Sequence, residues 1–354
     1  MTFIRNAWYV AAWDREVTEE ALLSREILGE KLIFFRRADG TVTALSGVCP
    51  HRYASLSMGR LDDGTVHCGY HGLGFDKTGA CVHNPFGTPP KGMRLRSYPV
   101  IERFSAVWIW MGDREGADPA LLPDFSFNDP DHHFVGQGYL LVRAGWELEV
   151  ENILDLSHIQ FLHPTTLGSS EVANGTYAWH QYGEQIWSNR DVYGEMMRPE
   201  LAASMGVPSD SRVDRWIHTR WDAPANLAIF AGAVPAGQER GDERGTPTAH
   251  LFTPATQGST HYFYSIAFPR SMGPDAELKA RTQVEFLKMP FEMEDLPMLE
   301  EQQRNLAGKS LRDVKLGWLP GDAAGARARQ ILYARMDAEM AVPDQAAPST
   351  APVS

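Results

Sequence analysis

The sequence has 354 residues, 43% of them apolar and 22% charged, and a net charge of −12. That length allows one large domain or two ordinary ones around a sizeable core. So acidic a chain lacks the basic footprint of a nucleic-acid or anionic-membrane binder, and no apolar run approaches the ~20 residues of a membrane span. The start, "MTFIRNAWYVAAWDREVTEE", carries only a short apolar patch before acidic residues, which is not a signal peptide. The expected setting is therefore cytoplasmic. Three cysteines, Cys49, Cys68 and Cys81, do not make a disulfide framework.

In chain order, "KLIFFR" (31–36) and "TVTALS" (41–46) flank "RADGT", a hairpin pattern. Next comes "CPHRYASLSMGRLDDGTVHCGYHG", a C-x-H, sixteen residues, then C-x-x-H. Each half offers one thiolate and one imidazole from a tight turn: Cys49 with His51, and Cys68 with His71. A two-iron cluster uses such a set when one iron takes two cysteines and the other two histidines. A Cys2His2 zinc site is the simpler alternative, but zinc fingers usually group cysteines together and histidines together. Cys81 reads as a small packed residue and His67 as a solvated turn residue. "AVWIWM" (106–111) is a further strand, and "GDREGADPALLPDF" (112–125) has linker composition. Residues 1–115 are thus expected to form an antiparallel β domain and 116–341 a second domain.

In the second part, 146–163 has a helical pattern and contains "NILDLSHIQFLHP". On a helix Glu151, Asp155 and His158 share a face. His163 lies about 140° further round than His158, but Pro164 biases it out of the helical region, letting its ring swing back. Two imidazoles near a carboxylate make the facial triad that binds iron(II) and leaves positions open for O2. Strands are expected at 215–221, 227–234 and 260–268, a long interrupted helix at 276–305 and a short one at about 325–338. The Pro/Ala/Ser-rich 342–354 should be a disordered tail. Glu292, Glu294 and Asp295 are candidate carboxylates, though Pro297 should break or kink the helix just beyond them. The whole reads as an α+β chain. No G-x-G-x-x-G opens a helix after a strand, so flavin and nicotinamide belong on another protein.

"CPHR…CGYHG" resembles the cluster motif of the Rieske-type non-heme iron oxygenases, and "TFIRNAWYVAAW" resembles the start of their vanillate- and dicamba-demethylating members. The resemblance runs from residue 2 to about 310. It implies a [2Fe-2S] cluster on Cys49, His51, Cys68 and His71, and mononuclear Fe(II) on His158, His163 and Asp295. It also implies Asp155 as a bridge to His71 of a neighbouring subunit in a ring-shaped homotrimer, a helix-grip-like catalytic domain, and His261 against the substrate. The implied activity is that of the terminal oxygenase component, using O2 and electrons from NAD(P)H through a flavin reductase or ferredoxin to O-demethylate a small aromatic acid. "ENILDLSHIQFLHPTTLG" is also similar to N-demethylating and toluenesulfonate-type relatives, so N-demethylation, methyl hydroxylation and ring cis-dihydroxylation stay open. An electron carrier without oxygenase activity is the remote alternative, and 120–310 is far larger than a carrier needs.

Overall fold

β-Branched and aromatic residues between turn formers give short antiparallel strands in the first hundred residues. The structure, a computed structural model, describes residues 3–241 and 245–341; the expected tail at 342–354 lies outside the described residues. Strands Glu30–Arg36 and Val42–Ser46 pair antiparallel, with Phe35 opposite Thr43. The Arg37 N–H closes the turn on the Thr41 carbonyl at 2.9 Å. With Leu23–Ile27 and Ser97–Tyr98 they form a four-stranded sheet. A second four-stranded sheet of very short strands, Arg60–Asp62, Thr65–His67, Gly74–Phe75 and Cys81–His83, carries the cysteine–histidine loops. A three-stranded sheet joins Trp8–Trp13, Ala106–Trp110 and Val100–Arg103.

The stretch 112–125 is tied down rather than loose. It makes two short 3-10 turns, Arg114–Gly116 and Pro119–Leu121, and the Asp113 N–H donates to Asn6 Oδ1 at 3.2 Å.

The C-terminal part is built on one seven-stranded antiparallel sheet. From edge to edge it runs His133–Val142, Ser259–Pro269, Thr246–Thr256, Asn226–Pro235, Val213–Asp222, Gln185–Glu195 and Thr176–Tyr182. Three of these strands match the expected segments. Thr246–Thr256 was hidden by Pro247 and Pro254, since proline removes a ladder donor. Both lie near the strand's ends, and the register shifts between Pro254 and Thr256. His133–Val142 was hidden by Gly136 and Gly138. A Cβ at Gly136 would meet the Ala280 carbonyl oxygen at 2.3 Å, and one at Gly138 the Tyr264 ring at 2.1 Å. Each glycine therefore admits a close neighbour.

One face of the sheet, with Ala228, Phe230, Ala249, Leu251 and Phe263, packs on Trp8, Val10, Trp13, Trp108 and Trp110 of the N-terminal domain. The other face, with Tyr262, Tyr264, Ile266 and Phe268, lies under helix Asp275–Pro290 through Ala276, Ala280 and Val284. No helix among the described residues is long and apolar enough to cross a membrane.

Pro297 does not break the late helix. Asp295 and Leu296 keep helical angles, and a π-helical turn, Phe291–Asp295, joins Asp275–Pro290 to Leu296–Leu306. A proline ring clashes with the carbonyl four residues back in a regular helix, here that of Met293. The wider turn, with its i→i+5 pattern, relieves that clash.

Helix Ala323–Ala341 lies against Trp146–Leu154, where Arg329 Nε donates to Glu151 Oε1 at 2.6 Å. Burial, and then the neighbouring Glu151 carboxylate, push Glu147 up to about 7 from an ordinary 4.5. A carboxyl raised on folding gives stability that is fully present below about 4.5 and lost as pH rises through about 7. Denaturant titrations at pH 5 and pH 8 should show the wild type losing roughly 1–3 kcal/mol through this group, and Glu147→Gln should remove that part of the slope.

Candidate metal centres

Two tight turns present the cysteines and histidines. The Tyr53 N–H donates to the Cys49 carbonyl and the Gly72 N–H to the Cys68 carbonyl, both at 2.9 Å. The turns are alike: each closes four residues after its cysteine, on a residue of positive φ, Tyr53 at 57° and Gly72 at 70°. Cys49 and Cys68 are 1% and 2% exposed, and neither is in a disulfide. Burial pushes the Cys49 thiol up despite the His51 N–H beside it, and Cys68 alongside pushes it further. The His51 and His71 rings lie nearer the surface, their centroids 4.8 Å apart. Two sulfurs inside and two imidazoles outside suit a cluster with one sulfur-bound and one imidazole-bound iron. To be held as thiolates, the two buried sulfurs would need such a cation beside them.

The segment expected to be one helix over 146–163 breaks earlier. Trp146–Leu154 ends at Asp155, which has φ −111° and ψ 90°. A 3-10 turn, Leu156–His158, and a short helix, Ile159–Leu162, follow. The Asp155 carboxylate causes the break by capping the new turn: it accepts from the Ser157 N–H and the Ser157 hydroxyl, each at 2.9 Å. Asp155 and His158 therefore do not share a helix face. Instead His158 Nδ1 meets the Asp155 backbone carbonyl at 2.6 Å. The Asp155 carboxylate faces Arg190 at 3.9 Å, and no contact with His71 forms among the described residues of the chain.

The break and the wider π turn bring three ligand types together. His158, His163 and Asp295 offer donor atoms that all lie within 4.8 Å of one another. Asp295 is 3.6 Å from His158 Nε2 and 3.2 Å from His163 Nε2. Glu294 takes a different place: its Oε2 meets His163 Nδ1 at 2.7 Å and accepts from the Thr166 hydroxyl at 2.7 Å. Glu292 points outward to Lys288 at 3.6 Å. Burial works to keep His163 neutral, but Asp295 and Glu294 outweigh it and raise its pKa. Burial dominates at His158, which is lowered. Both outer nitrogens are held, which leaves both Nε2 lone pairs facing inward beside a carboxylate. That is the donor set of a two-histidine, one-carboxylate iron(II) site.

Three supporting residues were missed in the sequence. Asn152, the first letter of the "NILDLSH" run, donates to Asp295 Oδ1 at 3.1 Å. Glu294 reads in the sequence only as a rival for Asp295. His250, on the central strand, carried no signal. It joins the three candidate ligands in lining a cavity of about 600 Å³, a normal size for a small-molecule site. Its ring nitrogens meet Tyr262 Oη at 2.7 Å and Thr248 Oγ1 at 3.0 Å. Burial lowers its pKa to about 3, so it stays neutral.

The structure does not bring His261 to this cavity. Side chains alternate along a strand, so His261 sits with Phe263 on the opposite face. There its nitrogens meet Tyr139 Oη at 2.9 Å and the Glu26 carbonyl at 2.8 Å.

Both parts of the chain match known proteins. Residues 7–99 match the Rieske [2Fe-2S] domain, and residues 142–338 the vanillate O-demethylase oxygenase C-terminal domain. The chain is 35% identical over 336 residues to the dicamba O-demethylase oxygenase component of Stenotrophomonas maltophilia, covering 92% of this chain and 96% of that protein. It is 35% identical over 321 residues to the iron-sulfur subunit of a toluene-4-sulfonate monooxygenase system of Comamonas testosteroni, covering 86% and 89%. A crystal structure of dicamba monooxygenase bound to 3,6-dichlorosalicylic acid superposes with a TM-score of 0.87 at 32% identity, covering 96% of this chain and all of that one.

Proposed function

The chain belongs to the Rieske-type non-heme iron oxygenases and is the oxygenase component of a multicomponent system, and from that premise we propose that it O-demethylates a small aromatic acid. The observation that carries this reading is the triad of His158, His163 and Asp295 opening onto a largely apolar cavity of aromatic size. In this reading Cys49, Cys68, His51 and His71 hold the [2Fe-2S] cluster, and the triad holds Fe(II). When bound, these groups supply one-electron storage and the activation of O2 for insertion into a substrate C–H bond. Electrons come from NAD(P)H through a flavin reductase or ferredoxin. For a methoxy group, two electrons, two protons and O2 give water and a hemiacetal, which collapses to a phenol and formaldehyde.

The chain's own residues set the geometry. Glu294 and the Asp155 carbonyl fix the tautomers of His163 and His158, and Asn152 holds the inner carboxylate in place. Ile217, Ile229 and Leu287 exclude water around the substrate ring.

The electron route runs between subunits of a homotrimer. Within one chain the cysteine–histidine loops pack in a core of their own, with Ile33, Phe35, Leu45 and Phe75, apart from the residues that line the triad's cavity. Large apolar side chains stand exposed beside each centre: Tyr53 and Tyr70 by the cluster loops, at 85% and 62%, and Phe161 by the triad, at 73%. Such exposure is typical of an interface. Asp155, at the triad's edge, is the bridging residue to His71 of the neighbour. The setting is cytoplasmic, with the reductase and its NAD(P)H.

Incubating the protein with a surrogate reductase, NADH and a panel of methoxylated and methylated aromatic acids tests this. Formaldehyde released in step with NADH use is the expected result. The toluene-4-sulfonate relative favours a second reading, methyl hydroxylation. A benzyl alcohol as main product would establish that reading instead, and a dihydrodiol would exclude both.

A further inference from the structure

Arg215 is buried in the cavity wall. It is 4% exposed and lines the same space as His158, His163 and Asp295. A guanidinium has five N–H donors and keeps its charge in proteins. Among the described residues only Nη1 has acceptors: the Leu167 carbonyl at 2.9 Å and Glu195 Oε1 at 3.3 Å. Nε is sealed away without a partner among the described residues, and so is Glu195 Oε2.

That is an odd way to bury an ion pair. Arginine and carboxylate normally meet through two parallel hydrogen bonds, because each buried charge needs its donors and acceptors filled. This pair meets through one long contact. The sheet also deforms around it: the register between Gln185–Glu195 and Val213–Asp222 shifts between Val192 and Glu195, and Gly194 takes a φ of 65°. Bulges of this kind re-aim side chains, and this one seats Glu195 behind Arg215. Glu195 offsets the cost of burying the cation without using up its donors.

Among the described residues the rest of the wall offers an anion no other buried guanidinium or ammonium. Ile217, Ile229 and Ala231 are apolar, and both His250 nitrogens are engaged. Lys279, the other cation of the lining, is partly exposed, its ammonium 4.7 Å above the Phe268 ring. An oxyanion brought into such a space needs a cation with free donors.

We propose that Arg215 receives the anionic head group, a carboxylate or sulfonate, of the aromatic substrate and so turns the opposite end of the ring toward the triad. This rests on the aromatic-acid reading above and assigns that acid a residue.

The test measures dissociation constants on the holoenzyme for 4-methoxybenzoate, 4-toluenesulfonate and the neutral isostere 4-methoxybenzamide. The double variant Arg215→Gln/Glu195→Gln removes both charges, so neither is left buried alone. It should keep the cluster absorption, weaken binding of the acids by roughly 10- to 100-fold, and leave the amide little changed. The carboxylate and sulfonate arms show which head group the site prefers. An acid-to-amide ratio equal to that of the wild type would overturn the proposal. If the double variant does not fold, Arg215→Lys, with Glu195 intact, tests the same ratio: it should fall, because a point charge replaces a fork. A wild type that neither binds nor oxidises any aromatic acid would instead sink the functional reading beneath it.

Discussion

Asp295→Ala is expected to empty the mononuclear site while leaving the N-terminal cluster whole. Iron content should fall from about three to about two atoms per chain, as one mononuclear and one two-iron group require. Visible absorption should stay and turnover fall to background. The reason is geometric: Asp295 is 96% buried, faces both His158 and His163, and is held by Asn152. Glu294→Gln should behave differently. Glutamine can still reach His163 Nδ1 but removes the negative charge from it. Loss of such an outer partner costs about 10- to 100-fold in metal affinity, so iron should return at high concentration. The paired variants, read by iron titration and by EPR of the nitrosyl adduct, separate a ligand from a partner of a ligand. Equal iron loss in both would mean that Glu294, not Asp295 alone, holds the metal.

The second large effect concerns subunits. Cys68→Ser should abolish the cluster and His158→Ala the mononuclear site, and each variant alone should be inactive. Co-expressed, the two should regain about one quarter of wild-type activity per chain. That is the fraction of sites in randomly mixed rings that pair an intact triad with an intact neighbouring cluster, since a cyclic trimer makes head-to-tail contacts. No recovery in mixed trimers verified by mass would place the electron route within one chain. Adding Asp155→Asn to the chain with the intact triad should lower the recovered rate further without removing iron.

Much of this molecule is legible in its sequence because some chemistry is local. The cluster loops are two short turns, so the spacing of Cys49, His51, Cys68 and His71 already carries their purpose. His158 and His163 are likewise close in sequence, and Pro164 marks the end of their helix. The acidic run holding Asp295 could be found, but not resolved. Which of Glu292, Glu294 and Asp295 faces the histidines depends on the pitch of the turn that carries them, and the π turn Phe291–Asp295 was not visible in the residue pattern.

What only the tertiary structure decided concerns faces and depth. Asp155 reads as a face-mate of His158, yet its carboxylate finds Ser157 two residues on and ends the helix. His261 and His250 lie on neighbouring antiparallel strands, and strand parity alone sends one to the domain interface and the other to the cavity. No arginine could be singled out from sequence, because Arg215 becomes unusual only when Glu195, twenty residues earlier and past a bulge, is buried beside it with its second oxygen unfilled. Residue spacing along the chain determined which chemistry the protein carries. The alternation of strands and the register between them decided which side chains share a cavity, because a shift of one residue moves a group to the other face of the sheet.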